Sequence, residues 1–204
     1  MIIYKRKRRR RLSFALILLL ACCLAASGMP ARAMDFQVHG DEVWLSGHVT
    51  GSEYSQLLAI LATNPIRTVV FTYSGGGNAN AGYNVGELIR QRGLATVVRG
   101  SCASSCSRMW LGGVKRSLEG LSARVGMHGN YDDAGDLLPA APLRLRTWLP
   151  SFAPVDRQLM EQWIALPNHK QMMYFYNDRA ELCDRGSCTP IPGRNVFNAG
   201  LATP

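Results

Sequence analysis

Residues 67–82 read RTVVFTYSGGGNANAG, an apolar, β-branched run that passes directly into three consecutive glycines. The run at residues 67–72 is typical of a buried strand. Residues 79–92 then repeat apolar side chains at helical spacing, and Gly93 follows as a helix stop. The stretch therefore predicts a strand, a glycine turn and a helix in immediate succession.

The same alternation of strands and helices extends outwards from this stretch. Apolar periodicity and β-branched composition predict strands at residues 43–49, 94–98 and 123–127, and helices at residues 54–62 and 103–111. Strands and helices that alternate with short connections form right-handed βαβ units. We therefore expect an α/β fold with a mostly parallel sheet and flanking helices.

The pattern is weaker after residue 128. Residues 132–149 contain prolines and glycines without a clear period, and we interpret them as a loop or lid. Amphipathic helices are predicted at residues 155–166 and from residue 169 into residue 176. No composition shift marks a boundary, so residues 34–204 are expected to form a single domain.

The first 33 residues have the organisation of a secretory signal peptide. Seven consecutive basic residues, 5–11, precede an apolar run at residues 12–26, and an Ala-Arg-Ala pattern ends at Ala33. We expect cleavage after Ala33 and a periplasmic or secreted protein. The apolar run is short for an uncleaved membrane anchor. Lipid anchoring at Cys22 stays open as an alternative, although the residues before it match a lipobox poorly.

Much of the positive charge belongs to this segment. Eight of the 23 lysines and arginines lie in residues 1–33, together with no acidic residue. The remaining 171 residues hold 15 basic and 14 acidic side chains, a formal balance of +1. This balance gives no support to nucleic-acid binding, and we expect no nucleic-acid partner.

Four cysteines follow the signal segment, namely Cys102, Cys106, Cys183 and Cys188. An even number in an exported chain favours disulfides over free thiols. We favour the local pairs Cys102–Cys106 and Cys183–Cys188, and cross pairing between the two groups is the alternative. The spacing of these cysteines is irregular for a zinc site, and we expect no metal.

Two further motifs supply chemistry. Residues 100–106 read GSCASSC, and residues 123–128 read ARVGMH. With the glycine turn they provide a hydroxyl nucleophile, an imidazole base and backbone N–H donors, which are the parts of an acyl-transfer site. The serine needs such a base because a neutral hydroxyl is a poor nucleophile. Each feature alone is common in structural roles, so the prediction depends on their conjunction.

From residue 67 to residue 128 the chain resembles the Clp protease proteolytic subunit and its crotonase-superfamily relatives. Residues 74–77 and 81–82 match the family's Ser-Pro-Gly-Gly and Ala-Gly, with a glycine in place of the proline. Ser104 matches the family nucleophile, and His128, 24 residues later, matches the base in Arg-Val-x-x-His. The exported Clp-like proteins with a cysteine-flanked serine are the most similar.

The resemblance implies a role for each matching residue. Ser104 is the expected nucleophile and His128 the expected base. Backbone N–H groups of Gly76 or Gly77 and of Ser105 are the expected oxyanion hole. The implied activity is that of a serine hydrolase, a peptidase that acts on peptide or protein substrates and needs no cofactor.

The third catalytic residue of the family is an aspartate that orients the histidine. Asp178 lies near the expected distance along the chain, but the motif around it is not recognisable. Asp156 and Asp184 are alternatives. A dyad, in which a carbonyl or Asn177 orients His128, is a further one.

Two other functions fit the same fold, because a fold does not determine an activity. One is a non-catalytic binding or assembly module, with the serine held out of line by a Cys102–Cys106 bridge. The other is a crotonase-like acyl-CoA enzyme, whose cofactor is not expected outside the cytoplasm. Family members assemble into trimers and larger rings, which leaves a homo-oligomer open. No ATPase partner is expected, since an exported chain meets little ATP.

Overall fold

The computed structural model describes residues 33–132 and 134–204, and residues 33–204 form one compact unit. The predicted signal peptide and Cys22 therefore lie outside the described residues, apart from Ala33, which forms an isolated bridge with His48. No helix within the described part of the chain is long and apolar enough to cross a membrane.

Nine strands and five α-helices make up the described residues. The strands are β1 Asp35–His39, β2 Glu42–Val49, β3 Thr68–Gly77, β4 Ala95–Ala103, β5 Arg116–Leu118, β6 Arg124–Met127, β7 Gln171–Phe175, β8 Ala180–Asp184 and β9 Ser187–Pro190. The helices are α1 Glu53–Thr63, α2 Ala79–Gln91, α3 Ser105–Leu111, α4 Ala141–Trp148 and α5 Arg157–Ile164, and a short 3-10 helix spans Leu149–Ser151.

The strands form one sheet with a parallel centre and antiparallel edges. β2, β3, β4 and β6 lie side by side and run parallel, and β5 pairs with the first half of β4. The antiparallel β1 covers β2 at one edge, and the antiparallel succession β7, β8 and β9 extends the sheet beyond β6. The predicted α/β fold with a largely parallel central sheet and flanking helices is confirmed.

The core lies at the centre of this sheet. Val69, Val70 and Phe71 are consecutive residues of β3 and all have 0% exposure. A strand whose neighbouring side chains are all buried is apolar on both faces, as in parallel sheets covered by helices on each side. Burying each such side chain contributes roughly 1.5–3 kcal/mol. The end of β3, and with it the glycine turn, is therefore held in a fixed place.

Two segments differ from the expectation. The helix predicted from residue 169 into 176 is wrong, because residues 171–175 form β7 and pair with β6 and β8. A short apolar run satisfies helical and strand spacing alike, and here the neighbouring strands decide. The supposed loop or lid at residues 132–149 becomes helix α4 from Ala141 onward. Pro142 lies in its first turn, where proline is well tolerated.

Both local disulfides are present. Cys102–Cys106 joins the end of β4 to the first turn of α3, with 5.3 Å between the Cα atoms. Cys183–Cys188 closes the hairpin of β8 and β9, where the two cysteines face each other across the strands. The favoured local pairing is thus confirmed over cross pairing.

Glu53 is a buried carboxylate that fixes the loop between β2 and α1. It has 0% exposure and accepts hydrogen bonds from the N–H groups of Thr50 and Gly51, each at 2.7 Å, and from the Thr50 hydroxyl. Burial raises the pKa of this carboxyl, but these hydrogen bonds outweigh burial and leave the pKa below its usual value. The same loop positions Val49, whose carbonyl accepts from Asn78 N–H after the glycine turn.

Glu53→Gln is expected to destabilise the fold by about 1–3 kcal/mol, because the new amide nitrogen cannot accept a hydrogen bond from the loop. The pKa of Glu53 is lower in the folded state, so its contribution is present above the unfolded pKa of about 4.3 and is lost as the pH falls through the folded pKa. Urea unfolding of both proteins at neutral and acidic pH measures the effect. A difference in stability that does not shrink on acidification would contradict it.

Candidate active site

Ser104 lies in a strained turn between β4 and α3. Its backbone has φ 57° and ψ −127°, and within the described residues Arg185 is the only other non-glycine residue with positive φ. Such a conformation costs on the order of 1–3 kcal/mol and is typical of functional positions. Ser104 N–H donates to the carbonyl of Gly126 at 3.1 Å, which ties the turn to β6.

His128 follows β6 directly and contacts Ser104. Pairing of Ala103 with Gly126 brings the ends of the parallel strands β4 and β6 to the same edge of the sheet. His128 Nε2 lies 2.7 Å from Ser104 Oγ, a hydrogen-bond distance, and the histidine is 5% exposed. Ligands bind at the carboxyl ends of such strands. The sheet therefore brings together a serine hydroxyl and an imidazole that lie 24 residues apart in sequence.

Gly76 of the glycine turn packs against Ser104. The register of β3 and β4 aligns Ser74 with Cys102, and a Cβ on Gly76 would lie 2.6 Å from Ser104 Cβ and 2.8 Å from the Ala103 carbonyl oxygen. The φ of Gly76 is +94°, which also favours glycine. Its N–H donates to Ser74 Oγ at 3.2 Å. Only glycine allows this approach of the turn to the serine.

Ser105 supplies a second backbone donor beside Gly76. As the first residue of α3 its N–H has no acceptor within the helix, and Ser105 N lies 2.9 Å from the place that a Cβ on Gly76 would occupy. Gly76 and the backbone nitrogen of Ser105, two of the positions expected to bind the oxyanion, thus lie close together next to Ser104. Gly77 lies differently, because it pairs with Val49 of β2 and a Cβ added to it would meet the Val49 carbonyl and the His48 ring.

The expected third residue, Asp178, lies away from the histidine. It lies in the turn after β7, where its carboxylate pairs with Arg179 at 3.1 Å and its side chain is 69% exposed. Among the described residues the imidazole Nδ1 of His128 has no hydrogen-bond partner. The structure therefore does not bring the Asp178 carboxylate to His128, and the assignment of Asp178 as the orienting residue is corrected here.

The alternatives to Asp178 also have other contacts. Asp156 caps the start of α5, Asp184 accepts a hydrogen bond from the Gln171 side chain, and Asn177 donates to a carbonyl of β5. The backbone of Gln171 favours the protonated form of His128, although its geometry falls outside that of a hydrogen bond. Among residues 33–132 and 134–204, the neighbour that favours the imidazolium is thus the backbone of Gln171.

The surroundings of His128 favour the neutral imidazole. Burial lowers the pKa of His128 most, the positive charge of Arg108 lowers it further, and His169 adds to this, so that the pKa falls to about 3. The Tyr131 ring packs against the imidazole with 4.9 Å between centroids. The imidazole is therefore unprotonated at neutral pH, which is the state in which Nε2 can accept a proton.

Sequence reasoning missed Arg108, which contacts both halves of the site. It is 2% exposed, and its guanidinium donates to the carbonyl oxygens of Ser104 and His128. A charged residue on a short helix is normally placed on the solvent face. The seven residues of α3 are all buried, so the sequence of this helix contains no signal that Arg108 points into the protein.

One cluster has the composition of a metal site. Glu181, Cys183 and Cys188 lie within ligand distance of one another. The two cysteines form a disulfide, and zinc sites need deprotonated thiols. The cluster therefore does not offer the ligands that a metal would require.

No protein-family model matches this chain, and no curated protein sequence matches it. Solved structures do resemble it. A variant of ClpP1 from Listeria monocytogenes is 15% identical, with a TM-score of 0.50 over 80% of this chain and 89% of that one. A variant of the 1510-N membrane-bound stomatin-specific protease is 15% identical (TM-score 0.49; 78% and 75% covered).

An enoyl-CoA hydratase from Mycobacterium avium subsp. paratuberculosis K-10 is 14% identical, with a TM-score of 0.49 over 86% of this chain and 72% of that one. At such identities the likeness concerns the fold and does not extend to activity. With the largely parallel sheet described above, the likeness to ClpP1 identifies the architecture: the chain has a ClpP-type fold.

Proposed function

We propose that this protein is a serine hydrolase that cleaves peptide bonds. The observation that carries the proposal is the distance of 2.7 Å between His128 Nε2 and Ser104 Oγ. The backbone donors of Gly76 and Ser105 border the same serine. A nucleophile, a base and oxyanion donors in one place are the requirements of acyl transfer.

In the proposed reaction Ser104 Oγ attacks the substrate carbonyl carbon while its proton passes to His128 Nε2. The carbonyl oxygen becomes an oxyanion, which accepts hydrogen bonds from Ser105 N–H and from Gly76 N–H once the latter leaves Ser74 Oγ. The C–N bond then breaks, the leaving amine takes the proton from His128, and an acyl ester remains on Ser104. Water that gives its proton to His128 attacks this ester, the C–O bond to Ser104 breaks, and Ser104 Oγ takes the proton back from His128 as the acid leaves.

The expected rate is low because no carboxylate in the described part of the chain bonds to His128 Nδ1. In the best-studied triad, disabling the aspartate that orients the histidine lowers turnover on the order of 10⁴-fold. A base with a pKa of about 3 is also less effective than one tuned close to the working pH. We therefore propose a slow hydrolase, in which positioning by the backbone replaces support by a carboxylate.

The Nδ1 atom of His128 has no hydrogen-bond partner within residues 33–132 and 134–204. This also favours a second candidate, a non-catalytic binding or assembly module with the same fold. In that function the short contact between Ser104 and His128 would be structural. The strained turn at Ser104 argues for the hydrolase, since strain of this kind is retained where a side chain must be presented. Reactivity of the serine distinguishes the two candidates.

Substrate, location and assembly belong to the same proposal. A peptide or protein substrate follows from the resemblance of residues 67–128 to Clp protease subunits, and a homo-oligomer would follow from it too. Export to the periplasm or beyond is supported by the composition of residues 1–33. The two disulfides support an oxidising compartment.

The proposal predicts that a fluorophosphonate probe labels the oxidised protein at one serine. Ser104→Ala should abolish labelling because it removes the nucleophile, and His128→Ala should slow it by about 10²–10⁴-fold because it removes the base. Ser122→Ala and His39→Ala change exposed residues and should label like the wild type. Peptide mass spectrometry locates the adduct. A folded, oxidised wild type that stays unlabelled would support the binding module instead.

Gly76→Ala is expected to abolish labelling, because its methyl group would lie 2.6 Å from Ser104 Cβ and 2.8 Å from the Ala103 carbonyl oxygen. Gly120→Ala is the matched control: its φ of +101° is similarly positive, but nothing lies within 4 Å of an added Cβ. The control should cost about 1–2 kcal/mol in stability from backbone strain and keep the wild-type labelling rate. Equal labelling rates for the two variants would refute the assigned role of Gly76.

The labelling rate is expected to stay constant from neutral pH down to about pH 4, because His128 has a pKa of about 3 and remains an unprotonated base. An imidazole with an ordinary pKa of about 6.5 would lose roughly tenfold in rate per pH unit below that value. Circular dichroism at each pH checks folding, which weakens below about pH 6.5 because only the unfolded state readily protonates this histidine. A fall in labelling rate below about pH 6.5 would show that His128 has an ordinary pKa and becomes protonated there.

A further inference from the structure

Arg108 is a buried cation without a carboxylate partner among the described residues. Its side chain is 2% exposed, and its hydrogen bonds go to uncharged oxygens of residues on two separate segments. Those acceptors are the carbonyls of Ser104, His128 and Gly129, the hydroxyl of Ser107 and the side-chain oxygen of Asn130. Burying a charge is costly unless it is paired and hydrogen-bonded, and Nε of Arg108 has no acceptor among the described residues. What this guanidinium connects is therefore informative.

The first connection fixes the peptide bond after the nucleophile. The carbonyl of Ser104 accepts three hydrogen bonds, from Arg108 at 2.6 Å, from the Ser107 hydroxyl at 2.6 Å and from the Ser107 N–H at 3.0 Å. In a planar trans peptide the carbonyl and the following N–H point in opposite directions. Holding this carbonyl therefore directs the Ser105 N–H to the other side, where Gly76 borders the serine.

The same bonds affect the strength of that donor. A carbonyl polarised by a charged group passes the polarisation through its peptide bond and makes the attached N–H a better donor. The guanidinium of Arg108 thus orients the Ser105 N–H, which the proposed function assigns to the oxyanion, and makes it a stronger donor. It acts from the opposite edge of the peptide bond, where it contacts the Ser104 carbonyl.

The second connection fixes the main chain of the base. The other amino group of Arg108 donates to the carbonyl of His128 and, at 3.2 Å, to the side-chain oxygen of Asn130. Asn130 in turn donates to the Tyr83 hydroxyl of α2 at 3.0 Å. The guanidinium of Arg108 thus connects the segment after β4 with the segment after β6. Tyr83 of α2 anchors Asn130 at the other end of this network. The contact of 2.7 Å between Ser104 and His128 lies between segments that this group holds together.

We infer that Arg108 is a positioning residue of the proposed site, which directs the Ser105 N–H at the oxyanion and holds the backbone of His128 against Ser104. The inference rests on the proposed function for its purpose. Its geometric content, a buried guanidinium that joins the two segments, can be tested without any substrate.

The charge of Arg108 gives a second readout, independent of activity. Three groups act on the charge of His128 besides burial: Arg108 and His169 disfavour the imidazolium, and the Gln171 backbone favours it. The Tyr131 ring also faces the imidazole. Removal of the Arg108 charge should therefore raise the pKa of His128 towards the ordinary range. A residue with only a packing role would not change this titration.

The experiment compares Arg108→Met, Arg108→Lys and the control Arg116→Met. Arg116 is also buried, 3% exposed, and donates to backbone carbonyls, but it ties the C-terminal segment at Leu201 to β5. Nitrogen-15 NMR of the histidine rings follows the titration and the tautomer of His128 between neutral pH and about pH 4. Fluorophosphonate labelling rates are measured on the same samples, and circular dichroism shows that each is folded.

Arg108→Met should raise the pKa of His128 above its wild-type value of about 3, with burial still holding it below the ordinary range, and should slow labelling by at least about tenfold. Arg108→Lys keeps the charge but cannot span both segments, so His128 should stay unprotonated while labelling still slows. This variant also carries the test if the methionine variant does not fold. Arg116→Met should leave the His128 titration and the labelling rate as in the wild type.

Two results would overturn the inference. One is an Arg108→Met variant in which both the His128 titration and the labelling rate match the wild type. The other is an Arg116→Met variant that reproduces every effect of the Arg108 substitutions, which would show a loss common to any buried arginine. A wild type that is not labelled would refute the proposed function alone, because the titration and tautomer of His128 still decide the placement of Arg108.

Discussion

The parallel pairing of β3, β4 and β6 is the constraint on which the site depends. Ser74, Cys102 and Val125 lie opposite one another in register across the three strands. All three strands end at the same edge, so the glycine turn, Ser104 and His128 emerge side by side although they are far apart in sequence. The buried apolar side chains of β3 hold this strand in the centre of the core, where both faces of the sheet are covered. The geometry of the proposed site thus follows from the packing of the core.

The fold and part of the site could be predicted because their signals are local. The run into three glycines marked β3 and the turn, and the spacing of Ser104 and His128 matched a known order of motifs. The strand at residues 171–175 was missed because a short apolar run fits both the helical and the strand period. The strands that pair with it cannot be seen locally, since β6 lies more than 40 residues upstream and β8 lies beyond a turn. Arg108 could not be found because nothing in the sequence shows that α3 is buried on all sides.

The error over Asp178 has a different origin. Distance along the chain placed it where an orienting aspartate was expected, but the antiparallel pairing of β7 with β8 carries it into an exposed turn. The opposite sign of charge lies beside the histidine instead, on Arg108. A carboxylate triad stabilises the imidazolium that forms during reaction, whereas this site favours the neutral ring before the reaction. In the proposed reaction, little free energy is therefore needed to keep His128 neutral beforehand, and more is needed to protonate it.

Much of the chemistry assigned to this site belongs to main-chain atoms. The N–H groups of Gly76 and Ser105 and the carbonyls of Ser104 and His128 do not depend on which side chain their residues carry. Their placement depends on strand register, on one close approach at a glycine and on one buried guanidinium. Comparison of residue identities therefore records only a small part of the arrangement, and divergence of the amino acids around it can proceed far while the spatial pattern stays the same. In this architecture, a relative would be recognised more reliably by the direction of its peptide planes than by its amino-acid sequence.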